Sequence, residues 1–366
     1  MPPIVVKKIS FKKCFLNQVE VLASLDRGCS LTKVIYFDKS DKNLADEDPS
    51  IDTVILTLAL FDNNNLDEVL LILKENAYFP ENQTLPFHVT GAGGDKYSKR
   101  IKEILERDVI FIDEYLSQAR GTYFFLKYAS LEDIIYENVE IEDVEPIEAP
   151  FASNIKGHFD TIVTNNITEE DDEKFPCIFA IMGSGAGCMR LNSDGTFHMA
   201  CNMIDVGKPF IGMCRCILET NNYEEIMDMA AKGDRRNVDT TTEDIVTADS
   251  PYGKIPGGIS LIPLGKLADT NKDISEFNKN DIAHSLVSLF IYNAMINAIH
   301  CCIAEKVKTV FFGGNLFQSE IFRKEYSYLR KVYTLDFVNF YFVNNGHSGA
   351  LGAMVSCPED VKKYKK

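Results

Sequence analysis

The amino-acid sequence predicts an α/β protein built from two domains. Three observations lead there. Apolar runs of strand length end repeatedly in glycine turns, at Gly28, at Gly91, Gly93 and Gly94, at Gly183 and Gly185, and at Gly313 and Gly314. Segments with helical periodicity lie between those runs. At 366 residues the chain also exceeds the usual span of one hydrophobic core. Between Glu137 and Lys174 the composition changes: acidic residues crowd both ends, and Pro146, Pro150 and Asn165-Asn166 interrupt the segment. That stretch reads as an exposed connection, placing the domains at residues 1–150 and 151–366.

In chain order, residues 19–25 and 34–37 are apolar runs flanking Asp26-Arg27-Gly28-Cys29-Ser30, the pattern of a β-hairpin. Residues 53–61 form a further strand, and leucines at helical spacing make 66–75 a helix with one face on a sheet. A strand at 86–90 runs into Gly91-Ala92-Gly93-Gly94, followed by a helix at 99–107 and a short strand at 109–112. Beyond the connection, the strand 177–182 enters Gly183-Ser184-Gly185, and helices are expected at about 210–219, 223–232 and 282–304. The last is apolar on more than one face, so it should be buried on several sides. A strand at 308–312 ends in Gly313-Gly314-Asn315, a strand at 337–342 follows, and 348–355 starts a small-residue helix.

Charge and composition narrow the function classes. The net charge of −16, from 54 acidic and 38 basic residues, argues against a nucleic acid or an anionic membrane as partner, because phosphate backbones demand clustered Lys and Arg. Ten cysteines without Cys-x₂-Cys pairs suit a reducing compartment. The N-terminal apolar run is too short for a signal peptide. His284, Asn293, Asn297 and His300 interrupt the longest apolar segment, so no membrane span is expected. The expected location is cytoplasmic.

Glycine lets the backbone approach a ligand and adopt positive φ, so that N–H groups can cradle phosphate oxygens. Four such turns, shared between two halves of the chain, favour a nucleotide held in an interdomain cleft. Neither the Walker spacing nor the Rossmann fingerprint occurs at these turns.

The segment Met-Asp-Met-Ala-Ala-Lys-Gly-Asp-Arg-Arg-Asn-Val at 227–238, with Asp239, closely resembles a signature of eukaryotic-type (type II) pantothenate kinases. So does Phe-Pro-Cys-Ile-Phe-Ala-Ile-Met-Gly-Ser-Gly-Ala-Gly-Cys-Met at 175–189. Further likenesses at 25–33, 90–97, 112–121, 281–293, 311–315 and 344–353 follow in the same order along nearly the whole chain. The resemblance implies an actin-like ATPase (ribonuclease H-like) fold, two α/β domains around a nucleotide cleft. It also implies transfer of the ATP γ-phosphoryl group to the primary hydroxyl of pantothenate, in coenzyme A biosynthesis.

Carried over residue by residue, Glu114 matches the family's catalytic base, with Asp113 before it and Gly121 seven residues after. Asp26 matches the acidic residue that holds Mg²⁺. The nucleotide would lie on Gly28, Ser30, Lys33, Gly91, Gly93, Gly94, Gly183, Gly185, Gly313, Gly314 and Asn315, and Ser184 is the retained contact to pantothenate. The family further implies inhibition by acyl-CoA and a dimer through the second domain, either a homodimer or a heterodimer with a paralogue.

Several positions depart from the family pattern. Cys29 stands where the family has a phosphate-binding glycine, and Val206-Gly207-Lys208-Pro209 replaces a Gly-Gly-Gly-Thr turn. Gly187 and Met199 replace a serine and an arginine that hold pantothenate, and the nearby Arg190 need not substitute. Leu261-Ile262-Pro263-Leu264-Gly265 replaces Ala-Ser-Ser-Phe-Gly, and Asn345 replaces a glutamate. The alternative expectations are therefore a catalytically degenerate paralogue acting as partner or regulatory subunit of an active kinase, and a kinase or phosphatase of the same fold acting on another small molecule.

Overall fold

The computed structural model describes residues 3–40, 52–80, 85–136, 174–204, 206–247, 257–333, 335, 338–343 and 346–357. The expected connection, apart from Lys174, lies outside the described residues, as do Asn344 and Asn345. The chain divides into two units, one made of the described residues up to Ile135 and from Val343 onward, the other of Tyr136–Phe342.

The first unit holds a six-stranded sheet of β1 (Val5–Lys12), β2 (Ala23–Arg27), β3 (Leu31–Tyr36), β4 (Thr53–Asp62), β5 (Phe87–Thr90) and β6 (Val109–Phe111), in the order β1-β4-β3-β2-β5-β6. Strands β2, β3 and β4 pair antiparallel, β2, β5 and β6 pair parallel, and β1 adds an antiparallel edge to β4. Side chains alternate across a strand. Ala23 and Leu25 of β2 therefore join Val34, Tyr36 and Val89 in a core with the Leu66–Asn76 and Ser98–Leu105 helices, through Leu70, Leu73, Ile101 and Leu105. Ser24 and Asp26 point to the opposite face. There the Ser24 hydroxyl donates to Ala350 O at 2.6 Å, and His88 Nδ1 of β5 lies 2.8 Å from Ala353 O. Both carbonyls belong to the Ser348–Met354 helix.

That last helix belongs to the first unit, whereas the sequence reading carried the second domain through to residue 366. The physical reason is a close helix pair. A Cβ at Gly121 would stand 1.7 Å from Ser348 O, and one at Gly352 would stand 1.8 Å from Ser117 O. The Glu114–Tyr128 and Ser348–Met354 helices thus meet backbone to backbone, which only glycine at the crossing permits.

The second unit repeats the same topology. Strands β7 (Cys177–Met182), β8 (Ala186–Leu191) and β9 (Phe197–Met203) are antiparallel, and β12 (Thr309–Gly313) and β13 (Asn339–Phe342) extend β7 in parallel, in the order β13-β12-β7-β8-β9. A short ribbon of β10 (Thr240–Thr241) and β11 (Ser260–Ile262) stands apart. Three antiparallel strands continued by two parallel ones, present in each unit, are the ribonuclease H-like arrangement of the actin-like ATPase fold.

The core helix of this unit runs Lys279–Glu305 and is buried from Asp281 to Cys302 along several faces. Its length and composition would also suit a bilayer. Its polar edge instead serves packing within the unit: Asp281, Ser285 and Ser288, all buried, recur at helical spacing. Asp281 accepts from the Asp234 N–H at 2.7 Å and from Asn237 Nδ2 at 2.8 Å, and the Ser285 hydroxyl donates to Asp239. Ser288 donates to Glu325 at 2.5 Å, and Glu325 also pairs with Arg235 at 2.9 Å. The 227–239 signature is thereby tied to the core helix.

Candidate functional site

The first unit assembles Asp26, Lys33 and Glu114. Asp26 is 2% exposed and lies opposite Lys33 as a cross-strand partner, with Lys33 Nζ 3.7 Å from Asp26 Oδ2. Glycine backbone flanks both carboxylate oxygens. A Cβ at Gly91, whose φ is +87°, would stand 2.5 Å from Asp26 Oδ1. One at Gly349 would stand 2.6 Å from Asp26 Oδ2 and 2.8 Å from Gln118 Nε2. Any side chain at either position would displace the carboxylate.

Glu114 opens the Glu114–Tyr128 helix, where Asp113 is the N-cap and accepts from the Leu116 N–H at 3.0 Å. The Glu114 side chain keeps access to solvent on one side. The protein packed on its other side, then the charge of Asp26, raise its pKa above the ordinary carboxylate value; Asp113 adds to this and Lys33 opposes it. Gln118 follows one helical turn later, so Glu114 and Gln118 share a helix face. A carboxylate that holds a proton more readily than usual, next to a second carboxylate and an ammonium, is suited to proton transfer at a site that also handles charge.

The glycine turns of this unit serve close packing, and several of their N–H groups are engaged internally. Gly28 N–H donates to Leu31 O at 3.1 Å, Gly93 N–H to Arg27 O at 3.0 Å and Gly94 N–H to Gly91 O at 2.9 Å. The expected phosphate donors at Gly28, Gly93 and Gly94 therefore already have acceptors. Ser30 and Cys29 are exposed at the hairpin turn. Arg27, noted in the sequence only as part of a divergent turn, is 6% exposed and knits this region together. Its Nη1 donates to Thr32 Oγ1 at 2.9 Å, its Nη2 to Asn63 O at 3.0 Å, and its guanidinium lies 4.4 Å from the centroid of the Tyr97 ring. Asn63 Nδ2 in turn donates to Gly28 O at 2.8 Å. Arg27 thus links the hairpin to Asn63 and Tyr97 through its side chain and to the 91–94 turn through its backbone carbonyl.

The second unit carries Gly183, Ser184, Gly185, Gly313, Gly314 and Asn315. Gly183 N–H donates to Gly185 O at 2.9 Å, whereas a Cβ at Gly185 would meet nothing within 4 Å. Gly314, at φ +113°, presses on β7: a Cβ there would stand 2.0 Å from Met182 O. Asn315 begins the one-turn helix Asn315–Gln318 after β12. Gly207, at φ +72°, abuts the Gly183-Ser184 turn, and Lys208 N–H donates to Ser184 O at 3.0 Å. Since Pro209 has no N–H, the first two positions of the Lys208–Leu218 helix offer no donor to a ligand.

Arg190 does not stand in for the arginine replaced by Met199. Its Nε donates to Asn192 Oδ1 at 2.8 Å and its Nη1 to Glu305 O at 2.5 Å, and its cross-strand partner is His198.

A family profile described as Fumble matches residues 22–356. The chain belongs to the Fumble family. Fumble is the name of the type II pantothenate kinase family. The chain is 22% identical to "Pantothenate kinase 2" of Arabidopsis thaliana over 91% of its own length and 38% of that protein's. It is 23% identical to "Pantothenate kinase 1" of the same plant, covering 81% of this chain and 75% of that one. It is 24% identical to the "4'-phosphopantetheine phosphatase" of Mus musculus, covering 92% of this chain and 41% of that one. The chain thus spans about two-fifths of the first and third of these relatives.

Proposed function

We propose that this Fumble-family chain is an ATP-dependent pantothenate kinase with Glu114 as general base. The observation that carries the reading is the cluster of Glu114, Asp26 and Lys33 in the first unit. There partial burial and then the charge of Asp26 raise the pKa of Glu114, and Lys33 lies 3.7 Å from Asp26. Glu114 takes the proton of the pantothenate primary hydroxyl as that oxygen attacks the γ-phosphorus of ATP, and ADP leaves with the β–γ bridging oxygen. Asp26 fits a hydrated Mg²⁺ held by one carboxylate and by substrate phosphates, because Gly91 and Gly349, which flank its two oxygens, bring no side chain there. The ion would offset phosphate charge at that carboxylate. Exposed Ser30 and half-buried Lys33 would meet the same phosphates, and Ser184 the pantothenate. Acyl-CoA inhibition, a dimer and a cytoplasmic location belong to the same proposal.

The test is a coupled assay of the purified chain with ATP, Mg²⁺ and pantothenate, in which ADP should form only when pantothenate is present. Absence of turnover would overturn the kinase reading.

A second reading, a degenerate partner subunit, is favoured by one observation: Lys208 N–H is engaged and Pro209 has none, so the first two positions of a helix start expected to offer donors offer none. On that reading the purified chain binds a catalytically intact paralogue and raises its turnover while remaining silent alone.

A further inference from the structure

Three thiols of the second unit converge from three elements. Cys188 lies on β8, Cys201 on β9 and Cys301 near the end of the Lys279–Glu305 helix, and their sulfurs all lie within 4.8 Å of one another. Cys188 and Cys201 are direct cross-strand partners, and the β8–β9 register shifts immediately after Cys188. Cys188 is fully buried, Cys301 is 6% exposed and Cys201 is half-buried. No disulfide joins any of the ten cysteines. Among the described residues, no His, Asp or Glu joins the group.

We propose that Cys188, Cys201 and Cys301 form a three-thiolate site for a thiophilic d¹⁰ cation of the Zn²⁺ or Cu⁺ class. A metal–sulfur bond of about 2.3 Å places three such sulfurs about 4 Å apart, within a small rotamer change of the arrangement present. Soft thiolates select these ions over Mg²⁺ or Ca²⁺, so the site is chemically distinct from the phosphoryl-transfer cluster. Cys301 lies four residues before the helix end at Glu305, the negative end of the helix dipole, which favours a cation. Each thiol releases its proton to solvent on coordination, three per ion, and the three sulfurs become ligands with no change of oxidation state. Because the thiols must be deprotonated to coordinate, affinity rises with pH. A bound ion would cross-link β8 and β9 to the core helix and stabilise the second unit.

The test uses the full reduced chain, titrated separately with Zn²⁺ against a chromophoric chelator and with Cu⁺ under anaerobic conditions. About one ion per chain should bind, with three protons released and a rise in melting temperature. Cys201→Ser, at a half-buried position, should keep the fold and lose both binding and the thermal shift. Cys301→Ser should also lose binding. Cys216→Ser, at an exposed cysteine of the Lys208–Leu218 helix, should retain it. Binding of either ion with this pattern supports the site. Failure of both ions to bind the wild type, or binding that survives Cys201→Ser, overturns it and leaves the three thiols as core packing.

Discussion

The Gly349 backbone lies against the Asp26 carboxylate so closely that a Cβ there would stand 2.6 Å from Oδ2. Gly349→Ala should therefore displace the carboxylate more than it unfolds the chain. A cost of about 1–3 kcal/mol is expected from overpacking, while misplacement of a catalytic-site carboxylate by about 1 Å lowers turnover roughly 10²-fold. Calorimetry alongside the kinase assay separates the two. Equal turnover by the variant would show that Asp26 is not held by this contact.

Glu114→Gln should lower kcat by about 10²–10⁴-fold with the fold intact. The pH profile gives an independent check. Partial burial and Asp26 raise the Glu114 pKa, so the acid limb of kcat/KM should lie above the ordinary carboxylate range. Lys33 acts the other way. Lys33→Met removes the lowering charge, so the limb should move to higher pH. A limb that stays in place or moves down would show that another group titrates.

In the second unit Glu325 is buried, with Arg235 Nη1 at 2.9 Å and His284 Nε2 at 3.2 Å. Burial disfavours its charge, but Arg235, His284 and the Ser288 hydroxyl together hold its pKa below the usual value. Glu325→Gln leaves the Arg235 guanidinium buried without its counter-charge, at a cost of about 3–5 kcal/mol. Urea denaturation should report that loss. Arg235→Met added to Glu325→Gln removes the stranded charge and should recover part of it.

His347 is held neutral in the fold: burial is the main cause, and its pKa falls from 6.5 to about 3. Its Nε2 lies 3.1 Å from Ala59 O on β4. Above pH 6.5 both folded and unfolded chains carry it neutral. Between pH 6.5 and about 3 only the unfolded chain takes the proton, so stability falls as the pH falls through that window. From pH 6.5 to 5 the loss is about 2 kcal/mol. His347→Gln should flatten this part of the stability profile, and an unchanged slope would assign it to other groups.

Much of the fold was legible because strands and turns announce themselves locally. The strands at 53–61, 86–90 and 177–182 and the helices at 66–75 and 223–232 match their observed spans to within about a turn. What escaped has physical causes. Strands β8 and β9 carry Gly187, Cys188, Met189 and Met199 in place of β-branched residues, so no strand composition marks them. The Glu114–Tyr128 helix packs Thr122, Tyr123, Phe124 and Phe125 consecutively, which blurs a 3.6-residue period. At the site, Asp26 and Glu114 were visible through their neighbours in sequence. Gln118, Gly349 and the Arg27–Thr32–Asn63 links were not, because their partners are distant along the chain and only the sheet brings them together.

The chain leaves its first unit at Ile135 and rejoins it at Val343. During synthesis, the helix that supplies Gly349 and covers Ser24 and His88 is made only after the whole second unit. The intervening residues 136–342 number 207. At about 5–20 residues per second, some 10–40 s pass in which the sheet of the first unit has part of one face uncovered. A chain stalled in that interval would expose the Asp26 side of β2, leaving it a substrate for chaperones and proteases until that helix is made.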